Sequence, residues 1–303
     1  MVEKVKPRIP VIVCDPGCRD KRGHHYEFNN FLQEEIEISE CLTNIHSKIP
    51  EYKKVFYHSP YSIVPAEHKQ IYQEQIAADA ALIAELSSNK ICIIQHASRL
   101  LIQALHKQRQ CSWENIVIPF PKSPASGLSE IEPKFQICYD RWFKPTFGSA
   151  KPYFYFPRSR VWFERRPITD VDENTILFLG SKREEKLFEA FVAYAKSENL
   201  IAKTMPAYSA REAYIESIFK AEFIWCGYGD AFAHKPSNTL LDGVCAQKTM
   251  ILSKDVTMMK NGFLPGRKSS LLQHNYLKYE PQGKFLLLKN NELFLKWLSA
   301  SLA

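Results

Sequence analysis

Short apolar runs alternate along the chain with longer segments in which apolar residues recur at helical spacing. The first run, Val-Ile-Val-Cys at residues 11–14, ends at Asp15-Pro-Gly17, and a helical pattern follows over residues 24–38. Strand-like runs that alternate with helices favour parallel sheets, because parallel strands need a crossover connection. The pattern therefore predicts an α/β fold.

The predicted elements form two series. Strands are predicted at residues 11–14, 54–58, 91–95, 116–120, 175–179, 200–205, 222–226, 249–253 and 284–288. Helices are predicted at residues 24–38, 67–86, 98–106, 238–246 and 291–299, and behind capping boxes at residues 181–184 and 209–212. A stretch rich in proline and aromatic residues separates the series, which predicts an N-terminal Rossmann-like domain at residues 1–166 and a C-terminal one at residues 167–303.

Composition narrows the classes of partner. The 303 residues are 45% hydrophobic and 24% charged, which is typical of a globular chain. The formal charge of +7 is spread along the sequence rather than gathered into one basic stripe. This distribution suits an anionic small ligand and predicts no nucleic acid partner.

Eight scattered cysteines include no C-x-x-C pair, so they indicate buried thiols in a reducing compartment rather than a disulfide framework or a zinc ribbon. Residues 1–10 lack the apolar core of a signal peptide, and no apolar run is long enough to span a bilayer. We expect a cytoplasmic protein, at most peripheral on the inner face of the membrane.

The most informative segment runs from His234 to Asp242, after a predicted strand and into a predicted helix. Ser237, Asn238 and Thr239 lie where free backbone amides and the helix dipole would hold a diphosphate. Asp242, about one turn further on, is placed to accept hydrogen bonds from ribose hydroxyls. The His234 imidazole suits hydrogen bonding to a sugar or phosphate and proton transfer near neutral pH.

This segment resembles the donor-binding motif of retaining GT-B glycosyltransferases of the family 4-like group. The resemblance implies two facing Rossmann-like domains, a nucleotide-diphosphate sugar bound to the second domain, retention of the anomeric configuration and no metal cofactor. Asp242 matches the acidic residue that binds the ribose in that family, whereas His234 stands where the family has an acidic residue near the donor sugar. Lys186 matches a lysine that neutralises the leaving diphosphate, and Ser181 stands where the family often has arginine.

The first domain carries further candidates. Gly23-His24-His25 resembles the glycine-containing turn that leads into the family's first helix and faces the donor. Both histidines adjoin the carboxyl end of a predicted strand, where α/β proteins bind ligands, and His96 directly follows another strand. We therefore take His24, His25, His96 and His234 as candidate catalytic residues, and Gly23 as a donor-binding one.

The resemblance implies a glycosyltransferase of polysaccharide biosynthesis that acts on a glycan or a lipid-linked acceptor. Two alternatives stay open. One is a catalytically inactive nucleotide-sugar-binding protein, in keeping with the departures at His234 and Ser181. The other is a sugar-nucleotide epimerase of similar fold, for which Asp15 and Glu27 are the candidate acids of the first domain. We also expect no C-terminal helix that returns to the first domain.

Three other features have structural interpretations. Asp170-Val-Asp172 imitates a metal-binding D-x-D motif but lies in a polar linker, so we predict that it binds no metal. The apolar positions of the helix at residues 98–106 are expected to pack into the core rather than dock on a membrane. A group of arginines is interpreted as solvated surface: Arg158, Arg160, Arg165 and Arg166.

Overall fold

The structure is a computed structural model of the chain. It describes residues 4–21, 23–60, 64–121, 136–140, 152–164, 170–179, 185–205, 210–227, 238–253, 266–270 and 276–302. The chain forms two compact units, of which the first comprises Met1–Pro157 with Glu292–Ala303 and the second comprises Arg158–Asn291.

The first unit is built on a seven-stranded parallel sheet. Its strands are β1 (Val11–Asp15), β2 (Ile38–Asn44), β3 (Lys53–Phe56), β4 (Ile91–Ile94), β5 (Ile116–Pro119), β6 (Gln136–Asp140) and β7 (Tyr153–Phe154). Its helices include α1 (Gly23–Glu35), α2 (Lys69–Leu86) and α3 (Arg99–His106), with short 3-10 turns at Ala66–His68 and Trp113–Asn115. The strand order β3-β2-β1-β4-β5-β6-β7 reverses direction between β1 and β4, which is where open α/β sheets bind ligands.

Strands β1 and β4 form the centre of this sheet. Every residue of Val-Ile-Val-Cys-Asp in β1 and of Ile-Cys-Ile-Ile in β4 is buried. Strands covered on both faces need apolar side chains at consecutive positions rather than alternating ones. Helix α3 packs Leu101, Ile102 and Leu105 into the same core, which confirms the core interpretation of this helix.

The second unit has a six-stranded mixed sheet. Its strands are β8 (Asp172–Phe178), β9 (Ile201–Thr204), β10 (Ala221–Cys226), β11 (Thr249–Ser253), β12 (Gly266–Ser270) and β13 (Tyr276–Pro281), in the order β12-β13-β11-β10-β8-β9. Strands β9, β8, β10 and β11 run parallel, and β13 and β12 join at one edge as antiparallel strands. Its helices among the described residues are α4 (Val161–Glu164), α5 (Glu185–Ser197), α6 (Arg211–Lys220), α7 (Asn238–Cys245) and the start of α8 (Lys284–Leu302).

The last helix, α8, crosses the boundary between the units at Asn291 and Glu292. In the first unit its fully buried Phe294 packs against Phe28, Phe31 and Phe120, with ring centroids 5.8, 5.9 and 5.5 Å away. This aromatic contact explains why Glu292–Ala303 belongs to the first unit. The expectation that no C-terminal helix returns to the first domain is therefore wrong.

The bounds of the units differ from the predicted domains at residues 1–166 and 167–303. Trp162 of α4 is buried and stacks on Phe219 of α6 at 6.1 Å, so the residues from Arg158 onward pack within the second unit. Aromatic and proline content alone did not show which side of the boundary these residues join.

Several elements differ from the sequence prediction. Residues 284–288 begin helix α8 rather than form a strand, because a short apolar run has the same composition in a buried strand and in a helix. Strands β2, β6, β7, β12 and β13 were not predicted. Helix α6 begins at Arg211 after Ala210, and Ser209, the capping residue predicted there, lies outside the described residues.

The structure also bears on the cysteines and on the search for membrane-spanning helices. All eight cysteines are buried and carry free thiols, as predicted. Within the described ranges, no helix combines the length and the apolar character that crossing a bilayer requires.

Candidate functional site

Three histidines meet at the reversal point of the first sheet. His24 and His25 lie in the first turn of α1, which follows β1, and His96 lies two residues beyond the end of β4. Strands β1 and β4 pair in parallel, so their carboxyl ends lie side by side. The structure therefore brings together the three first-unit residues that the sequence singled out separately.

The imidazoles of this histidine cluster (His24, His25 and His96) lie close together. The ring centroids are 4.6 Å apart for His24 and His25, 4.7 Å for His24 and His96, and 4.8 Å for His25 and His96. One ring nitrogen from each residue lies within 4.8 Å of the other two. His25 is buried, whereas His24 and His96 are half-buried and are the members that a ligand can reach more easily.

A buried carboxylate orients His25. Asp15, the last residue of β1, has its Oδ1 2.6 Å from His25 Nδ1, and its Oδ2 accepts a hydrogen bond from Asn29 Nδ2 at 2.9 Å. A carboxylate only accepts hydrogen bonds, so His25 Nδ1 is the donor in this contact. The backbone N–H of Gly17 also donates to Asp15 Oδ1, at 3.1 Å. Sequence reasoning named Asp15 only as a candidate acid for epimerisation and missed this orienting role.

Gly17 is needed for the position of the His25 ring. A Cβ atom built on Gly17 would lie 2.3 Å from His25 Cε1 and 2.7 Å from Nε2. Real Cβ atoms do not approach a ring this closely, so the ring occupies space that only glycine leaves open.

The loop after β4 has two unusual features. His96 has φ of 49°, in the left-handed region that costs energy for a residue with a side chain and that often marks functional sites. The preceding Gln95 is fully buried, and among the described residues its side-chain amide has no hydrogen-bond partner. Such buried polar groups are rare and are often satisfied by water or a ligand.

In the second unit, Asp242 forms a buried ion pair. Arg158 Nε donates to Asp242 Oδ1 at 2.7 Å, and Tyr214 Oη donates to Oδ2 at 2.8 Å. Arg158 is 1% exposed and Asp242 6%. The interpretation of Arg158 as solvated surface is therefore wrong, and the predicted ribose ligand already has a protein partner at each carboxylate oxygen.

The same arginine holds the start of helix α7. Arg158 Nη2 donates to the Asn238 side-chain oxygen at 2.8 Å and to the Asn238 carbonyl at 2.9 Å. Asn291 fixes the backbone of Arg158, because its Nδ2 donates to the Arg158 carbonyl at 2.7 Å. The predicted helix beginning at Asn238 is confirmed, and its first residue is positioned by a side chain that sequence reasoning missed.

We compared the chain with known proteins at three levels. No protein-family model matches it, and no curated protein matches its sequence. Among solved structures, AviGT4, a glycosyltransferase involved in avilamycin A biosynthesis, is similar with a TM-score of 0.52, over 97% of this chain and 98% of that one, at 9% identity. The chain has the GT-B fold.

Two other similar structures are of alpha-glucosyltransferases. One, in complex with UDP and a 13-mer DNA containing an HMU base, has a TM-score of 0.41 at 13% identity, over 81% of this chain and 80% of that one. The other, in complex with UDP, has a TM-score of 0.40 at 13% identity, over 80% of each chain. At 9% identity the likeness to AviGT4 concerns the fold alone.

For the other residues that the sequence predicted to bind the donor, the structure gives at most their place in the fold. Lys186, the second residue of α5, is exposed, and Thr239 in the first turn of α7 is half-buried. Gly23 is the first residue of α1. His234, Ser237, Ser181 and the capping box at residues 181–184 lie outside the described residues.

The D-x-D segment forms an ion pair with a neighbouring strand. Asp172 begins β8, and its Oδ2 lies 2.5 Å from Lys203 Nζ of β9. The hydrogen bond from Lys203 holds the pKa of the Asp172 carboxyl below its ordinary value. The carboxylate thus has a cationic partner within the sheet, and Asp172 belongs to a strand rather than to the polar linker predicted from the sequence.

Proposed function

We propose that the chain transfers a sugar from a nucleoside-diphosphate sugar to a hydroxyl group of a glycan or lipid-linked acceptor. The observation that carries this proposal is the GT-B fold, shared with a glycosyltransferase over 97% of the chain. The polar groups at the carboxyl ends of β1 and β4 support it, because they lie where such sheets bind ligands.

The donor diphosphate would bind at the start of α7. Backbone amides from Ser237 to Thr239 and the positive end of the helix dipole suit a diphosphate, and Lys186 adds a cation. We assign Asp242 a positioning role instead of ribose binding, since its carboxylate holds Arg158, which in turn holds Asn238. This arrangement fixes the first residue of the helix at which the phosphate would bind.

The reaction exchanges one bond at the anomeric carbon for another. The bond from that carbon to the diphosphate oxygen breaks, a bond to the acceptor oxygen forms, and the leaving diphosphate takes the electron pair. With retention, the acceptor approaches on the face from which the diphosphate departs, and a diphosphate oxygen takes the acceptor proton. Catalysis then comes chiefly from fixed dipoles and cations at the departing charge.

The histidine cluster would contact the acceptor. Imidazoles hydrogen-bond hydroxyl groups in either protonation state, and the Asp15 carboxylate keeps the His25 ring oriented. His24 and His96 are the more accessible members. His234 is proposed as a further contact to the donor sugar.

A thermal-shift screen against UDP-, GDP-, ADP- and CMP-sugars tests donor binding, because a ligand that binds only the folded state raises its apparent stability. We expect one nucleotide class to raise the Tm. Lys186→Ala should weaken that response, whereas Lys196→Ala, which removes an exposed lysine from the last turn of the same helix, should not. No response to any of the four classes contradicts the proposal.

Incubation of the responding donor with candidate acceptors then tests transfer. NMR of the product gives the anomeric configuration, for which we propose retention. Donor binding without transfer or donor hydrolysis supports an inactive binding protein instead. An isomerised nucleotide sugar formed without acceptor supports an epimerase.

A further inference from the structure

We propose that the histidine cluster is a binding site for one transition-metal ion of the Zn²⁺ class. One nitrogen from each of His24, His25 and His96 lies within 4.8 Å of the other two. Two nitrogens bound to one tetrahedral ion at ~2.1 Å are ~3.4 Å apart, so nitrogens 4.8 Å apart need to approach by about 1.4 Å. Small side-chain rotations at three residues provide such a movement.

The residues around the cluster form the outer shell that metal-bound histidines need. Such a histidine typically donates its second ring N–H to a carboxylate, which fixes the tautomer and the ring orientation. Asp15 provides this contact at 2.6 Å from His25 Nδ1, so a metal would bind His25 through Nε2. Asn29 and the Gly17 amide hold the carboxylate in turn.

The backbone also fixes the ligands firmly. His24 and His25 are consecutive residues in the first turn of α1. His96 has a left-handed backbone conformation and lies two residues beyond the fully buried strand β4. Phe156 packs against two of the rings, 5.8 Å from His24 and 5.4 Å from His96, and limits their movement on one side. A site built on elements of a rigid core keeps its ligands in place before the metal arrives.

The donor set selects the class of metal. Imidazole nitrogens suit Zn²⁺, Co²⁺, Ni²⁺ and Cu²⁺, whereas Mg²⁺ and Ca²⁺ prefer oxygen ligands. Three protein ligands leave one position of a tetrahedral Zn²⁺ open for water or for an oxygen atom of a ligand. The site therefore has the composition of an open Zn²⁺ site rather than of a closed structural one.

Thiols do not compete for the metal in the folded chain. All eight cysteines are buried. Burial raises the pKa of the Cys41 and Cys111 thiols to about 11, so these thiols stay protonated near neutral pH. The inference departs from the expectation of a protein without metal, and it does not depend on the proposed sugar transfer.

Zn²⁺ alone is the probe for the test. Tag-free protein at neutral pH is titrated with Zn²⁺ in competition with a chromophoric chelator, and Co²⁺ substitution reports the coordination geometry by visible absorption. We expect one tight equivalent per chain and the absorption of four-coordinate Co²⁺. His24→Ala and His96→Ala should abolish this equivalent, and Asp15→Asn should weaken Zn²⁺ binding by about 10- to 100-fold.

His68→Ala is the matched control, since His68 is exposed and lies in the 3-10 turn before α2. It should bind Zn²⁺ like the unmodified chain, and circular dichroism checks that each variant is folded. Absence of a tight equivalent in the unmodified chain overturns the proposal, as does full binding by His24→Ala and His96→Ala. If both variants unfold, the Co²⁺ spectrum of the unmodified chain still tests the proposal, because a spectrum without four-coordinate absorption contradicts it. A chain that binds nucleotide sugars but no Zn²⁺ disproves the metal site alone.

Discussion

Arg158 and Asp242 form a buried ion pair whose Nε and Oδ1 atoms are 2.7 Å apart. The arginine also bonds to Asn238 at the first residue of α7, and the aspartate also accepts from Tyr214. A buried charge without its partner is costly, whereas replacement of both charges by apolar groups is often tolerated. The pair therefore couples the stability of the second unit to the geometry of the proposed phosphate site.

Asp242→Ala should reduce the free energy of unfolding by about 3–5 kcal/mol, because it removes the carboxylate that faces the buried Arg158 guanidinium. The double variant Arg158→Met/Asp242→Leu should recover much of this loss. Urea denaturation measures both. An Asp242→Ala chain as stable as the unmodified one would show that the pair is solvated in solution.

We expect the same pair to influence the proposed nucleotide binding. If Asp242 positions α7, the folded double variant binds donor more weakly although neither residue contacts the ribose.

Tyr214→Phe, which removes one hydrogen bond to the carboxylate, should cost about 1–3 kcal/mol of stability. Its donor affinity should stay close to that of the unmodified chain, because Arg158 still holds Asn238.

Gly17→Ala should disturb the histidine cluster. The new methyl group would lie 2.3 Å from His25 Cε1, so the ring must move away from Asp15 or the turn must shift. We expect a loss of about 1–3 kcal/mol in unfolding free energy, as for overpacking elsewhere, together with weaker Zn²⁺ binding. Denaturation and the Zn²⁺ titration measure the two effects, and wild-type values in both would contradict the described ring position.

Phe294→Ala should destabilise the first unit by about 3–5 kcal/mol, because the ring is fully buried among Phe28, Phe31 and Phe120. Phe285→Ala is the control from the same helix, since Phe285 is 73% exposed and its removal should change stability little. Equal effects of the two substitutions would show that α8 does not complete the core of the first unit.

The Asp172–Lys203 pair predicts a small pH effect. Because Lys203 lowers the pKa of the folded-state carboxyl, the pair stabilises the folded chain above the ordinary carboxyl pKa. This contribution disappears as the pH falls through the lowered pKa. Asp172→Asn should therefore lower the Tm slightly at neutral pH and not in acid, and high salt should reduce the difference.

Local patterns predicted the central strands and several helices well. The run Val-Ile-Val-Cys was interpreted as β1, and the polar-to-apolar change at Asn238 was interpreted as the start of α7; both are confirmed. Residues 38–44 mix Ile, Ser, Glu and Cys without strict alternation, so β2 was missed. Residues 284–288 show the opposite error, since their apolar run belongs to a helix.

The candidate sites were only partly predictable because their contacts are non-local. Sequence reasoning named His24, His25 and His96 but not their proximity, which depends on the pairing of β1 with β4. It also misjudged Arg158, whose partner Asp242 lies 84 residues further on. An arginine among other arginines gives no local sign that it is buried, and only the packed fold shows it.

The chain enters the second unit at Arg158 and leaves it at Asn291, and these two residues are hydrogen-bonded to each other. The second unit is thus an uninterrupted insert whose ends are fastened together, while the first unit is assembled from two separate stretches of chain. Excision of residues 158–291 would give a fragment with its own sheet and tethered termini. The remaining N-terminal stretch, by contrast, would lack Phe294 at the centre of its aromatic core.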